Sequence, residues 1–195
     1  MPEENQKTEL KNQHLDPHDP FVLDAHRLAR RPGSMLKVVR TVPAPADLGL
    51  EVIGVPEGAD VELNLKLEAV VEGVLVSGTA RAPLAGECVR CLDPLTDEVE
   101  VDFAELFVAP GSAQETDGDD ETRWLQDDLI DLEPVVRDAV VLTLPLQPLC
   151  EEDCPGLCAQ CGAVLRDDPD HDHSEVDPRW AALEGLVSKD EQPGD

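Results

Sequence analysis

Tyrosine is absent from this chain, and aromatic residues of any kind make up only 3% of its 195 residues. A core built here must rest on Val, Leu, Ile and Ala rather than on rings. Positive charge is scarce too: 15 Lys and Arg stand against 43 Asp and Glu, a formal net charge of −28. Such a chain repels phosphate backbones on average, because nucleic-acid affinity comes chiefly from Lys and Arg displacing counterions. Strong acidity favours solubility and association with basic proteins instead. No apolar run approaches the roughly 20 residues that span a bilayer, so no membrane partner is expected. The opening stretch Met-Pro-Glu-Glu-Asn-Gln-Lys-Thr-Glu-Leu has no apolar h-region, so no secretory signal is read there. The expected location is cytoplasmic and reducing, which disfavours structural disulfides. No nucleophile–base pair, Gly-rich phosphate loop or cofactor fingerprint is visible, and no small-molecule substrate is expected.

What the chain does have is cysteine in knuckle spacing. Residues 150–162 contain Cys150, Cys154, Cys158 and Cys161, the last pair in the form C-x2-C-G. Gly162 there can take the positive φ that a tight turn requires. Cys88 and Cys91 form a second C-x2-C. Thiolates in this arrangement suit tetrahedral zinc. A redox dithiol needs its thiol pKa lowered by cations or a helix N-terminus, whereas Cys150 and Cys154 are flanked by Glu151, Glu152 and Asp153. Structural zinc, as one ion or two, is the expected cofactor. Six cysteines are too many for one tetrahedral site and two too few for two. His171 and His173, spaced i and i+2 on an extended chain, point the same way and complete a second set with Cys158 and Cys161. Cys88, Cys91, Cys150 and Cys154 are then the other quartet. The simpler alternative is one ion held by Cys150, Cys154, Cys158 and Cys161, with Cys88 and Cys91 spare.

The expected fold class is α+β: an antiparallel sheet, open or barrel-like, with one main packed helix and a C-terminal cysteine-rich zinc module. Residues 1–19 read as a disordered tail, 20–149 as the α+β domain, 150–175 as the metal-binding segment and 176–195 as a short helix and tail. In the first part, Phe21 to Leu23 suit a short strand and Asp24 to Arg30 a short helix. Val61, Leu63, Leu65 and Leu67 alternate with Glu62, Asn64, Lys66 and Glu68, the period of a half-buried strand. Val74 to Ala80 are its hairpin partner, with Cys88 on the turn after Pro83 to Gly86. Val99 to Glu105 form the next strand, which puts Cys88 and Cys91 at a hairpin tip. Residues 109–123 are an acidic loop. Val135, Val136, Ala139, Val140 and Thr143 mark one face of a helix opened by Pro134 and stopped by Pro145. Trp180, Leu183 and Leu186 suggest a last amphipathic helix.

From Ala25 to Ala46 there is no acidic residue, and Arg27, Arg30, Arg31, Lys37 and Arg40 fall in that window. It is the one basic island, and a contact to RNA or a partner is one reading of it. A strip neutralised by the protein's own acidic surface is the other.

Several pieces in a fixed order carry a resemblance. They are Asp24 to Met35 with Arg-Arg-Pro-Gly-Ser-Met, Gly86-Glu-Cys-Val-Arg-Cys-Leu, Leu142-Thr-Leu-Pro-Leu-Gln-Pro-Leu-Cys, Cys154-Pro-Gly-Leu-Cys-Ala-Gln-Cys-Gly and Val176-Asp-Pro-Arg-Trp-Ala-Ala-Leu. Together, from about residue 20 to 187, the chain resembles the YceD-like family of large ribosomal RNA subunit accumulation proteins in its actinobacterial form. The resemblance implies a bacterial factor, not an enzyme, for synthesis, processing or stability of the large-subunit ribosomal RNA. The partner expected from that role together with the net charge of −28 is the RNA or its precursor particles, reached through a basic ribosomal or processing protein. Two other readings remain: a zinc-dependent hydrolase or nuclease, and direct RNA binding through the basic segment.

Overall fold

Alternation of apolar and polar residues sets the main sheet. The computed structural model describes residues 15–29, 32–112 and 122–173. It divides at Cys150 into two units, Met1–Cys150 and Glu151–Asp195. The strands of the first unit are β1 (Val22–Asp24), β2 (Met35–Pro43), β3 (Ile53–Gly54), β4 (Asp60–Ala69), β5 (Gly73–Glu87), β6 (Pro94–Val108), β7 (Arg123–Trp124) and β8 (Leu129–Asp131). Its helices are α1 (His26–Ala29) and α2 (Glu133–Thr143).

On β4 the residues Val61, Leu63, Leu65 and Leu67 are buried, while Glu62 and Asn64 face solvent. Opposite them Val74, Val76, Ala80, Ala82 and Leu84 of β5 point inward, as do Val99 and Val101 of β6. Fully burying a side chain of this size contributes about 1.5–3 kcal/mol, so these rows are the main stabilising term of the unit. The strand order is β2-β4-β5-β6-β7, with β3 pairing β5 beside it. All pairings are antiparallel except β6 with β7.

The barrel-like alternative is corrected by this order. The sheet is open, running from β2 at one edge to the two-residue β7 at the other, and β1 pairs only with β8 in a separate ribbon. A strand as short as β7 cannot carry the stagger that closure would need. Pro83 to Gly86 extend β5 up to the turn that carries the first C-x2-C. Pro83 falls in the gap between the pairings of β4 and β3, where a missing N–H leaves no ladder incomplete. The edge strand β2 has no counterpart in the sequence reading. Eight of its nine residues are exposed or half-buried, so the inside–outside alternation that marks β4 is missing from it.

Helix α2 closes the core. Val135, Val136 and Val140 are buried, with Leu132 and Leu144 at its ends, and Thr143 is exposed. Its first turn carries Pro134 and Glu133, and the Glu133 N–H donates to Asp131 Oδ1 at 3.1 Å. Arg137 fastens it to the 46–47 loop by donating to the carbonyls of Ala46 and Asp47. In the second unit, residues 151–173 contain turns and one bridge, Leu157 with Val164, but no helix or longer strand. A segment this small cannot bury a core, so its order needs another source. Residues 1–14 of the expected 1–19 tail, residues 113–121 of the 109–123 acidic loop and the Trp180 helix lie outside the described residues. Among the described residues no helix is long and apolar enough to cross a membrane.

Gly78 sits between the inward residues Val76 and Ala80, where a Cβ would stand 2.2 Å from the Asn64 carbonyl oxygen and 2.9 Å from Leu65 Cα. Both are backbone atoms of a central strand and cannot step aside. Gly78→Ala is therefore expected to cost about 1–3 kcal/mol, read by chemical denaturation. An unchanged midpoint would show that β4 and β5 are not held at this distance.

Candidate metal centres

Two turns of the chain share one backbone design. At Cys88 the N–H donates to the Asp93 carbonyl at 2.9 Å, and the Leu92 N–H returns to the Cys88 carbonyl at 2.9 Å. At Cys158 the N–H donates to the Ala163 carbonyl at 2.8 Å, and the Gly162 N–H returns to the Cys158 carbonyl at 2.8 Å. In each case the fifth residue of the knuckle has a left-handed backbone, φ 64° at Leu92 and 75° at Gly162. That fold-back holds the two cysteines of a C-x2-C motif on one side of the turn.

In the first unit the knuckle is the tip of the β5–β6 hairpin. The Val89 N–H donates to the Pro148 carbonyl at 3.0 Å, which brings the chain leaving α2 beside the tip. Cys88, Cys91 and Cys150 are thereby gathered, with sulfurs inside 4.8 Å of one another and the Cys91 and Cys150 sulfurs at 3.6 Å. A disulfide would need about 2.05 Å. Burial pushes the Cys88 thiol up, but backbone donors at Cys91, Cys150 and Arg90 outweigh it and bring the thiol to about 6. It is thus largely thiolate at neutral pH, the form that binds metal. Cys154, also buried, opens the second unit four positions beyond Cys150.

In the second unit the ligand atoms of Cys158, Cys161, His171 and His173 lie within 4.8 Å of one another. Cys161 Sγ is 3.2 Å from His171 Nε2 and 3.3 Å from His173 Nε2, and the two Nε2 atoms are 3.0 Å apart. Each carries at most one proton, and a proton can point at only one of its two neighbours. The triangle therefore leaves lone pairs converging, an arrangement that a cation satisfies. Four donors around one tetrahedral zinc stand about 3.3 to 3.8 Å apart, given bonds of about 2.0–2.3 Å, and the observed approaches fall within or just under that range. Backbone donors at Cys161 and Gln160 lower the Cys158 thiol to about 6. Asp168 lies three residues before His171, with Oδ2 3.6 Å from Nδ1, the outer nitrogen that a carboxylate orients in metal-binding histidines.

The basic window is distributed differently. Arg27 and Lys37 are exposed, on α1 and β2, and Lys37 pairs in register with Lys66. Arg40 is half-buried and donates to the carbonyls of Pro20 at 2.7 Å and Val22 at 3.3 Å, fastening the β1 segment to the sheet. Arg30 and Arg31 lie outside the described residues. Leu92 was not singled out by sequence, although aligning Cys-Val-Arg-Cys-Leu with Cys-Ala-Gln-Cys-Gly exposes it.

Residues 76–187 match the family described as large ribosomal RNA subunit accumulation protein YceD. An uncharacterized protein of Mycobacterium tuberculosis is 50% identical over 165 residues, covering 84% of this chain and 80% of its own. The Bacillus subtilis protein YlbN is 32% identical over 133 residues, 66% of this chain and 73% of its own. A chloroplastic maize protein named large ribosomal RNA subunit accumulation protein YCED homolog 1 is 25% identical over 130 residues, 52% of this chain and 41% of its own. No solved structure matches.

The two knuckles differ in strain, because an L side chain at left-handed φ costs about 1–2 kcal/mol and glycine does not. Gly162→Ala is expected to lower the thermal midpoint of unfolding, while Leu92→Gly leaves it unchanged or raises it. Equal losses from both would show that the shared geometry is not intrinsic to the turns.

Proposed function

The chain belongs to the YceD family of large ribosomal RNA subunit accumulation proteins, and from that premise we propose that it is a non-catalytic factor for accumulation of the large-subunit ribosomal RNA. It works in the cytoplasm, through synthesis, processing or stability of that RNA. Its acidic body docks a basic ribosomal or processing protein on precursor particles, and structural zinc orders the cysteine-rich segments. Family membership is the observation that carries this reading. The net charge of −28 favours a basic protein over bare phosphate as the first contact.

Two zinc sets fit the donors. The first is Cys88, Cys91 and Cys150, gathered in the first unit, with Cys154 as the fourth thiol four positions along the chain. The second is Cys158, Cys161, His171 and His173, supported by the lone-pair triangle. Each set supplies four protein ligands, the composition of closed structural sites, whereas a hydrolytic zinc keeps one position for water. The ion's contribution is to join distant segments and turn binding energy into folding energy. Direct RNA binding by the basic segment is weakened as a reading by Arg40, whose Nη1 already donates to two backbone carbonyls.

Depleting the protein from cells is expected to lower the ratio of large- to small-subunit ribosomal RNA, measured on total RNA. An unchanged ratio would separate this chain from the family role. Purified protein should carry two zinc ions by elemental analysis, with Cys91→Ser and Cys161→Ser each removing one. A single ion, kept in Cys91→Ser and lost in Cys161→Ser, would restore the one-site alternative. Reversing charge at Arg30 and Arg31 should leave RNA crosslinks to precursor particles unchanged, and their loss would favour direct binding.

A further inference from the structure

Leu92 carries the left-handed penalty while most of its side chain stays in solvent. It is 59% exposed at the hairpin tip, in the same turn where the other knuckle has glycine. The knuckle accounts for the left-handed backbone, as Gly162 does in the other one, but not for an exposed apolar side chain on it, which suits a contact from outside the chain. The surroundings agree. Val89 in the same turn is 39% exposed, and its N–H is bonded to Pro148, two residues after Leu146, which is 82% exposed. Leu142, at the end of α2, is exposed as well. An apolar tip is thus presented next to the first thiol group, on a backbone held rigid by its own hydrogen bonds.

The charge around this tip selects the occupant. Glu87 is exposed at its base, and Asp93 closes the turn. Arg90 is the only cation between Glu87 and Asp93. A second copy would bring the same acidic rim and a further −28 against it, and RNA would bring phosphates. We propose that Val89, Leu92 and Leu146 form a docking surface for a basic protein segment whose apolar stripe lies between lysines and arginines. This rests on the reading above that the chain docks a basic protein on large-subunit precursor particles, and it names where.

The test uses the full chain and purified large-subunit precursor particles. Leu92→Gly and Leu146→Ser together are expected to weaken cosedimentation about tenfold or more, with zinc content and thermal midpoint retained. A photocrosslinking residue at position 146 should join a basic protein of the particle. Undiminished binding of the double variant, or crosslinks to RNA or to a second copy, would overturn the surface while leaving particle docking intact. Failure of the unmodified chain to sediment with the particles would remove the docking reading, and this surface with it.

Discussion

Residues about sixty positions apart must meet before Cys88, Cys91 and Cys150 can share a centre, and the first unit is arranged so that they do. Closing a loop of that length opposes folding through chain entropy, though the cost grows only slowly with length. The single bond from the Val89 N–H to the Pro148 carbonyl contributes on the order of 1 kcal/mol and could not achieve this alone. The closure is prepared by larger parts. Fifteen paired residues in β5 and β6 carry the tip outward in fixed register, and α2, packed on β6 by Val135, Val136 and Val140, aims the departing chain at it. Arg137 and Arg123 hold the helix to the 46–47 loop and, through Asp138, to β7. The thiols therefore converge at the end of a sequence of apolar contacts, each formed for its own reason.

The second unit shows the opposite balance. Between Glu151 and His173 there is no element longer than an isolated bridge, and the backbone is ordered by turns. Its side chains converge on one point even so, through Cys161, His171 and His173. One hydrogen-bonded knuckle thus serves in two settings, at the end of a rigid hairpin and within a segment that has almost nothing else.

Strict period-two alternation made β4 and about half of β5 and β6 legible in the sequence, because one face of each is core and the other water. The valine spacing of α2 was legible for the same reason. Alternation has no bearing on β2, whose residues are mostly outside the core, nor on β7 and β8, which are too short to show a period. Barrel or open sheet was not decidable, since closure depends on which edges meet and not on what any strand buries. The convergence of ligand atoms was readable from C-x2-C spacing and from the i, i+2 histidines. The role of Arg40 was not, because its partners are carbonyls, and every residue has one of those.

The open edge has a consequence for how the chain survives at high concentration. A nine-residue strand with Met35, Leu36 and Val39 outward is a template on which another extended chain can add hydrogen bonds. Lys37 stands in the middle of that template and Pro43 ends it, so an incoming strand must desolvate an ammonium group and then stop. Colloidal repulsion between chains of −28 keeps such encounters rare in the first place. The excess acid thus adds long-range repulsion between copies to the local obstruction that Lys37 and Pro43 give the open edge.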